Sequence, residues 1–302
     1  MATQTPNYLL TKPAQSDFYN VADFNGNADI IDRELKSNAD GISDEITRAQ
    51  QAEQDISNAV TGLLNKVALN NAGAHNSIFR GKNLGTSVTA AQWAAIQAGT
   101  FDDMYIGDYW VINGITYRIA AFDYYYLTGD TSFTDHHAVI VPDESMYNHV
   151  MNDSNVTTGA YYGSKMKTSG LSSALATVIA AFGSSHVLEH RQYFANAVSN
   201  GRHSAGAWYS TKIDLMTEEN VYGGKVFEAV SDGSTVPANY TIDKSQFPLF
   251  ALAPWMISFK RYWYWLRNVV SASHFADVSV DGRANYYSAS DSFGVRPAFC
   301  IG

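Results

Sequence analysis

Cysteine is almost missing from this sequence. Cys300 is the only one in 302 residues, which excludes an intrachain disulfide framework and any multi-cysteine zinc site. Basic charge is also short: 20 Lys and Arg stand against 29 Asp and Glu, with a net charge of −9 and a pI near 5.3. A duplex-binding protein needs a basic stripe to displace phosphate counter-ions, so nucleic acid is not expected as a partner. No run of about 18 apolar residues occurs, so no membrane insertion is expected. The opening Met-Ala-Thr-Gln-Thr-Pro-Asn lacks a basic n-region and an apolar core, so no secretory signal is expected. The hydrolase pattern His-Glu-x-x-His is absent. His186 and His190 are four apart, a spacing that could share a helix face, but no third ligand is in sight. His136 and His137 are adjacent and would point to opposite faces of a strand. No metal, no cofactor and no catalytic residue is expected.

Aromatic residues are plentiful: 19 Tyr, 15 Phe and 6 Trp. That suits a β-rich globule with large aromatic contact area. The richest stretch is Tyr262 to Gly302. Its ends read as core strands, with Trp263, Trp265 and Leu266 on one side and Val295, Phe299 and Ile301 sharing one parity on the other. Between them, Asn268 to Phe293 is dense in serine, aspartate, asparagine and tyrosine, the residues that adaptable binding surfaces use. Ala276, Val278 and Val280 alternate with Asp277, Ser279 and Asp281, the period of a half-buried strand. Asp281-Gly282 predicts a two-residue type I′ turn with positive φ at both positions, and Arg283 to Ser290 is the return arm. The expectation is a hairpin with one face on a core and one in water. An ordinary solvated hairpin has the same pattern.

The chain before it has its own order. Residues 7 to 35 carry Tyr8, Phe18, Tyr19 and Phe24 among acids and asparagines, too open a stretch to bury its own core. Ile42, Ile46, Ala49, Glu53, Ile56, Val60, Leu63 and Val67 then step by four and three, the a/d spacing of a heptad repeat over about four heptads. Leu35 and Ala39 extend the row backwards. The outer positions are polar, and isoleucine at both seam positions leans toward three strands. The same spacing also suits an amphipathic helix lying on its own globule. Leu69 to Ala74 breaks the helix. Beyond it the sequence predicts a helix over 89–98 capped by Thr89 and a hairpin turning at Asn113-Gly114. It further predicts a strand over 139–141 and a helix over 171–182.

Tyr8-Leu-Leu-Thr-Lys-Pro followed by Asp17-Phe-Tyr-Asn-Val-Ala-Asp-Phe-Asn-Gly-Asn-Ala-Asp-Ile-Ile-Asp resembles the N-terminal segment of tail fibre proteins from phages of Gram-positive bacteria, where it leads into a helical stalk. Further on, Ile106-Gly-Asp-Tyr-Trp, Met151-Asn-Asp-Ser-Asn, Gly163-Ser-Lys-Met, Leu215-Met-Thr-Glu, Trp265-Leu-Arg and Gly294-Val-Arg-Pro resemble a domain common in phage tail proteins and in some bacterial surface proteins. The closing layout of a Trp-Arg block, a polar loop and a Gly-Val-Arg strand is similar to the C-type-lectin-like fold. Some members of that fold are diversified by retroelements in the final hairpin. The chain departs from the oxidases of that fold, which need a cysteine pair. It also departs from the calcium-dependent sugar binders, since neither Glu-Pro-Asn nor Gln-Pro-Asp occurs.

The resemblance implies an α+β chain in three parts: a tail-attachment segment over 1–37, a coiled-coil stalk over 38–70 and a C-type-lectin-like receptor-binding domain over 71–302. It implies a phage tail fibre protein of the virion that adsorbs to the bacterial host. Its partners would be two further copies through 38–70, a tail or baseplate protein through 7–35, and a bacterial surface glycan or protein. The expected ligand contacts are Asn268, His274, Asp277, Ser279, Arg283, Asn285, Tyr286, Tyr287 and Asp291, with Trp265, Leu266, Gly294, Val295 and Phe299 as scaffold. Two other functions fit the sequence. One is a cell-wall or polysaccharide depolymerase, for which Glu218, Glu219, Asp277 and Asp281 are available without a telling spacing. The other is a purely structural tail component.

Overall fold

A computed structural model describes residues 3–18, 20–67, 71–194, 198–199, 202–203, 206–228, 230–231 and 245–302. Tyr19 and Leu69 lie outside the described residues, as do the side chains of Leu63, Val67 and His203. The chain divides into two compact units, Met1–Val67 and Ala68–Gly302.

The first unit is dominated by α1 (Val21–Val67), 47 residues long, or roughly 70 Å at the rise of an α-helix. Asn20 opens it by accepting a hydrogen bond from the Ala22 amide at 3.0 Å, the usual way an Asn satisfies a helix's first donors. Thr3–Gln4 and Thr11–Lys12 pair antiparallel. The Asn27 side chain then holds both the amide and the carbonyl of Thr11 at 2.6 and 2.8 Å. So the stretch that looked open is in part a small hairpin tied to the first turns of the helix. Tyr8, Phe18 and Phe24 are exposed, as are Leu35, Ile42, Ile46, Ile56 and Val60.

These facts correct the expected architecture. Among the described residues the long helix is a single element that begins at Val21, and no coiled-coil stalk is formed. Four-three spacing establishes a helix with an apolar stripe, but it does not establish a second helix to cover it. The helix starts early because Ala, Asp, Ile, Arg, Glu and Leu between 22 and 35 tolerate helix, and solvent accepts their polar side chains. The C-type-lectin-like expectation rested on short blocks at the chain's end. Such blocks fix local strands and leave the arrangement of the remaining sheets open. What is found is a mixed α+β chain, mostly sheet, with one long helix.

In the second unit the strands of three or more residues are, in chain order, β1 (Asn83–Gly85), β2 (Tyr109–Ile112), β3 (Ile115–Phe122), β4 (Ala138–Pro142), β5 (Asn148–Val150), β6 (His190–Phe194) and β7 (Ala207–Thr211). They continue with β8 (Ile213–Leu215), β9 (Tyr264–Val269), β10 (His274–Val278), β11 (Ala284–Ser288), β12 (Ser292–Gly294) and β13 (Pro297–Ile301). The α-helices of five or more residues among the described residues are α2 (Ala90–Gln97), α3 (Ser172–Phe182), α4 (Glu218–Tyr222) and α5 (Pro248–Leu252). Thr89 caps α2 in a reciprocal box with Gln92, and Asn113 and Gly114 both have positive φ, 51° and 81°, at the β2–β3 turn. Those expectations hold, as do the strand at 139–141 and the helix ending at Phe182.

One sheet has the order β8-β13-β4-β3-β2-β1 and a second the order β11-β10-β9-β12-β5, while β6 and β7 form a separate antiparallel pair. The two larger sheets are joined at Gly294-Val-Arg-Pro, which carries the chain from β12 to β13. Gly294 has no room for a side chain there, since a Cβ would lie 2.0 Å from the Ser145 hydroxyl and 2.7 Å from the Trp263 carbonyl. Arg296 locks the crossing. It is buried, donates to the carbonyls of Pro142, Met256 and Ile257, and lies over the Tyr264 ring at 5.0 Å. Val295, Phe299 and Ile301 are buried as expected, and so are Ala298 and Cys300, because β13 lies between β8 and β4 with both faces covered.

Candidate recognition face

The second sheet ends at an edge strand, β11, and its residues are placed by register. Trp265 pairs with Asp277, Asp277 with Asn285, and Phe275 with Tyr287. Directly opposed residues share a face. One face therefore carries Trp265, Asp277, Asn285, Phe275 and Tyr287, with Ser279 two residues on from Asp277. The other carries Tyr264, Ala276, Val278, His274 and Tyr286. Tyr286 and Tyr287, adjacent in sequence, thus serve opposite sides. Tyr286 is 43% exposed and meets His274 and Phe227 edge-on. Tyr287 is 38% exposed and stands edge-on to Trp263 at 5.3 Å and to Phe293 at 4.9 Å.

The hairpin tip differs from expectation by one residue. Val278 opposes Ala284, Ser279 N–H donates to the Arg283 carbonyl at 2.9 Å, and Gly282 N–H donates to the Ser279 carbonyl at 2.9 Å. Only Gly282, at φ 87°, is left-handed. The loop is the three-residue form, a turn closed by a glycine bulge, instead of the two-residue type I′ form. The tip is held down as well: the Tyr222 hydroxyl donates to the Gly282 carbonyl at 3.1 Å.

The expected contact residues separate into three groups. Arg283, Tyr286 and Tyr287 are exposed, His274, Asn285 and Asp291 are half-buried, and Asn268, Asp277 and Ser279 are buried. Asn268 serves the interior: its side-chain oxygen accepts from the Glu218 amide at 2.8 Å and its amide donates to Glu219 at 3.3 Å. The Ser279 hydroxyl donates to Asp281, whose other oxygen accepts from Arg283 at 2.7 Å. The expected half-in, half-out strand is therefore covered on both sides at Asp277 and Ser279. Alternation reported polarity correctly and exposure wrongly, because Trp263, Tyr287 and Phe293 cluster on the polar side.

Asp277 is the unusual member. It is 0% exposed, and neither carboxylate oxygen has a hydrogen-bond partner among the described residues. Burial first, and the nearby charge of Asp291 second, push its carboxyl up to about 7. Both influences disfavour the ionised form. Beside it lies a cavity of about 150 Å³ lined by Trp263, Ser279, Val280, Asp281, Arg283, Ala284 and Asn285. Asp277 is not in the wall. It lies on the same face as Asn285, which it opposes, and Ser279, two residues further on, both of which line the cavity.

Sequence reasoning placed Trp263 in the core and did not single out Phe293. Trp263 instead lines the cavity and packs on Phe293 at 5.4 Å. The signal available was position: Trp263 lies two residues before Trp265, on the same face as Asp277. The histidines of the two pairs have neighbours within the fold. His136 contacts Asp123 at 2.7 Å, and His186 stacks on Trp93 with 3.8 Å between ring centroids. His190 sits in a strand, not on a helix shared with His186. Burial holds His137 and His190 neutral, with values lowered to about 4 and about 3. No group of three His, Cys, Asp or Glu side chains among the described residues could hold a metal ion.

No curated protein and no solved structure matches the chain. The profile of one family, a domain of unknown function (DUF6273), matches residues 192–302, a span that includes β9 to β13 and the face just described.

Proposed function

We propose that this chain is a receptor-binding protein of a phage tail, which adheres to a bacterial surface through the face of β9–β12 around Trp263, Asn285 and Tyr287. The observation that carries the reading is the half-exposed Tyr287, held on a framework of Trp263 and Phe293 beside an open cavity. A rigid amphipathic ring loses little conformational freedom on binding, and the serine and asparagine around it supply adaptable hydrogen bonds. The resemblance of residues 8–32 to tail fibre segments supports the setting. The exposed Tyr8, Phe18 and Phe24 support attachment to a tail or baseplate protein through 7–35. The exposed Ile42, Ile46, Ile56 and Val60 support association of copies through 38–70. Several copies held together would raise a weak contact to useful avidity.

The test is adsorption of the purified, fluorescently labelled chain to a panel of Gram-positive bacterial cells. Wild-type protein binds at least one strain, and Tyr287→Ala loses at least about tenfold in apparent affinity, as an aromatic anchor does. Binding by Tyr287→Ala equal to wild type would overturn the reading.

A further inference from the structure

Asp277 asks for an explanation that the fold does not supply. A buried carboxylate without a partner is costly to keep. The other buried carboxylates nearby are paired: Glu218 accepts three backbone amides at 2.8–3.0 Å, and Asp214 meets Lys167 at 2.6 Å. Asp277 has neither. The charge that acts on it is a second acid, Asp291. Arg283, the only cation lining the cavity, is engaged by Asp281. Trp263 lines the cavity, and Tyr287 and Phe293 pack against its ring on the same side of the sheet. Negative charge beside aromatic rings favours a positively charged group from outside. An inorganic cation fits poorly, since no cluster of metal-ligating side chains exists among the described residues. The rim fits a sugar: the partly exposed Tyr287 ring offers an apolar face and the half-buried Asn285 offers hydrogen bonds.

We infer that this face binds a sugar carrying a free primary amine, with the Asp277 carboxylate as the partner of the ammonium group and Trp263 and Tyr287 as the walls. The inference deepens the proposed adhesion and rests on it. On binding, Tyr287 and Asn285 shift enough to bring the amine to Asp277. The amine donates up to three hydrogen bonds, which satisfies both carboxylate oxygens. An N-acetylated sugar offers one neutral N–H, adds bulk and leaves the carboxylate charge uncompensated, so it is rejected.

The experiment compares methyl glucosaminide with methyl N-acetylglucosaminide, which differ only at that nitrogen. Each is titrated into the full chain, and Trp fluorescence and ligand-detected NMR are read at neutral pH. Wild type should prefer the free amine by at least about tenfold, and Asp277→Asn should erase the preference while keeping the wild-type circular dichroism spectrum. Equal binding of the two sugars, both lost in Tyr287→Ala, would overturn the amine inference and leave the adhesion face standing. A preference that survives Asp277→Asn would place the amine elsewhere and overturn it. Failure of wild type to bind either sugar would also overturn it, and the adsorption assay would then decide the adhesion reading on its own.

Discussion

Glu218 and Asp277 are both 0% exposed, yet their surroundings have little in common. Glu218 opens α4, and the loop after the helix curls back so that the amides of Val226, Phe227 and Glu228 all donate to its carboxylate. Its charge is an internal fastener. Asp277 sits mid-strand between Trp265 and Asn285 and receives no hydrogen bond from the described residues. One carboxylate is satisfied by its own chain. The other has no partner among the described residues, and burial drives it toward the neutral form. The difference separates a carboxylate fastened by its own backbone from one that the proposed recognition would use.

The comparison is broken most severely at Glu218. Glu218→Ala leaves three amides without their acceptor and should lower unfolding stability by about 4 kcal/mol, read from urea denaturation. Asp277→Asn should move the other way. Its carboxyl stands near 7 against an ordinary 3.8, so the folded state resists ionisation and the penalty is fully present above pH 7. The variant should gain on the order of 4 kcal/mol at pH 8 and nothing near pH 3. A loss of stability at pH 8 would mean that Asp277 has a partner after all.

The pH profile sharpens the contrast further. Over pH 4.5–6, unfolded His137 and His190 bind protons that the folded protein does not, because burial lowers them to about 4 and about 3. Their contribution is lost as pH falls. Asp277 binds its proton only when folded in that window, which acts in the opposite sense. Two protons against one leave a net slope near one, so wild-type stability should rise by about 1.4 kcal/mol per pH unit, and twice as steeply in Asp277→Asn. The smallest effect belongs to the exposed Arg283–Asp281 pair. Arg283→Ala should leave the denaturation midpoint unchanged within error, as exposed pairs usually do.

Much of this was legible in the residues. The four-three row from Ile42 marked a helix, Asn113-Gly114 marked a tight turn, and the alternation after Ala276 marked β10 and its partner. The start of α1 was not legible. Asparagines and aromatics between 20 and 35 look like loop until the Asn20 cap and the Asn27 clasp on Thr11 are seen. Nor was the cover over Asp277, since period two gives the face of a strand and not what lies on that face. The fastening of Glu218 involves main-chain amides eight to ten residues away, and backbone donors leave no side-chain signature. For the same reason Glu218 could be offered as a spare carboxylate for hydrolysis, a role its three amides leave it unfit to serve.

The most direct measurement is the carbon chemical shift of the Asp277 carboxyl, followed across pH with and without methyl glucosaminide. The account predicts a midpoint near 7 in the free protein that falls by more than a unit when the sugar is bound, as an ammonium partner stabilises the charge. An ordinary midpoint near 4 that ignores the sugar would contradict it.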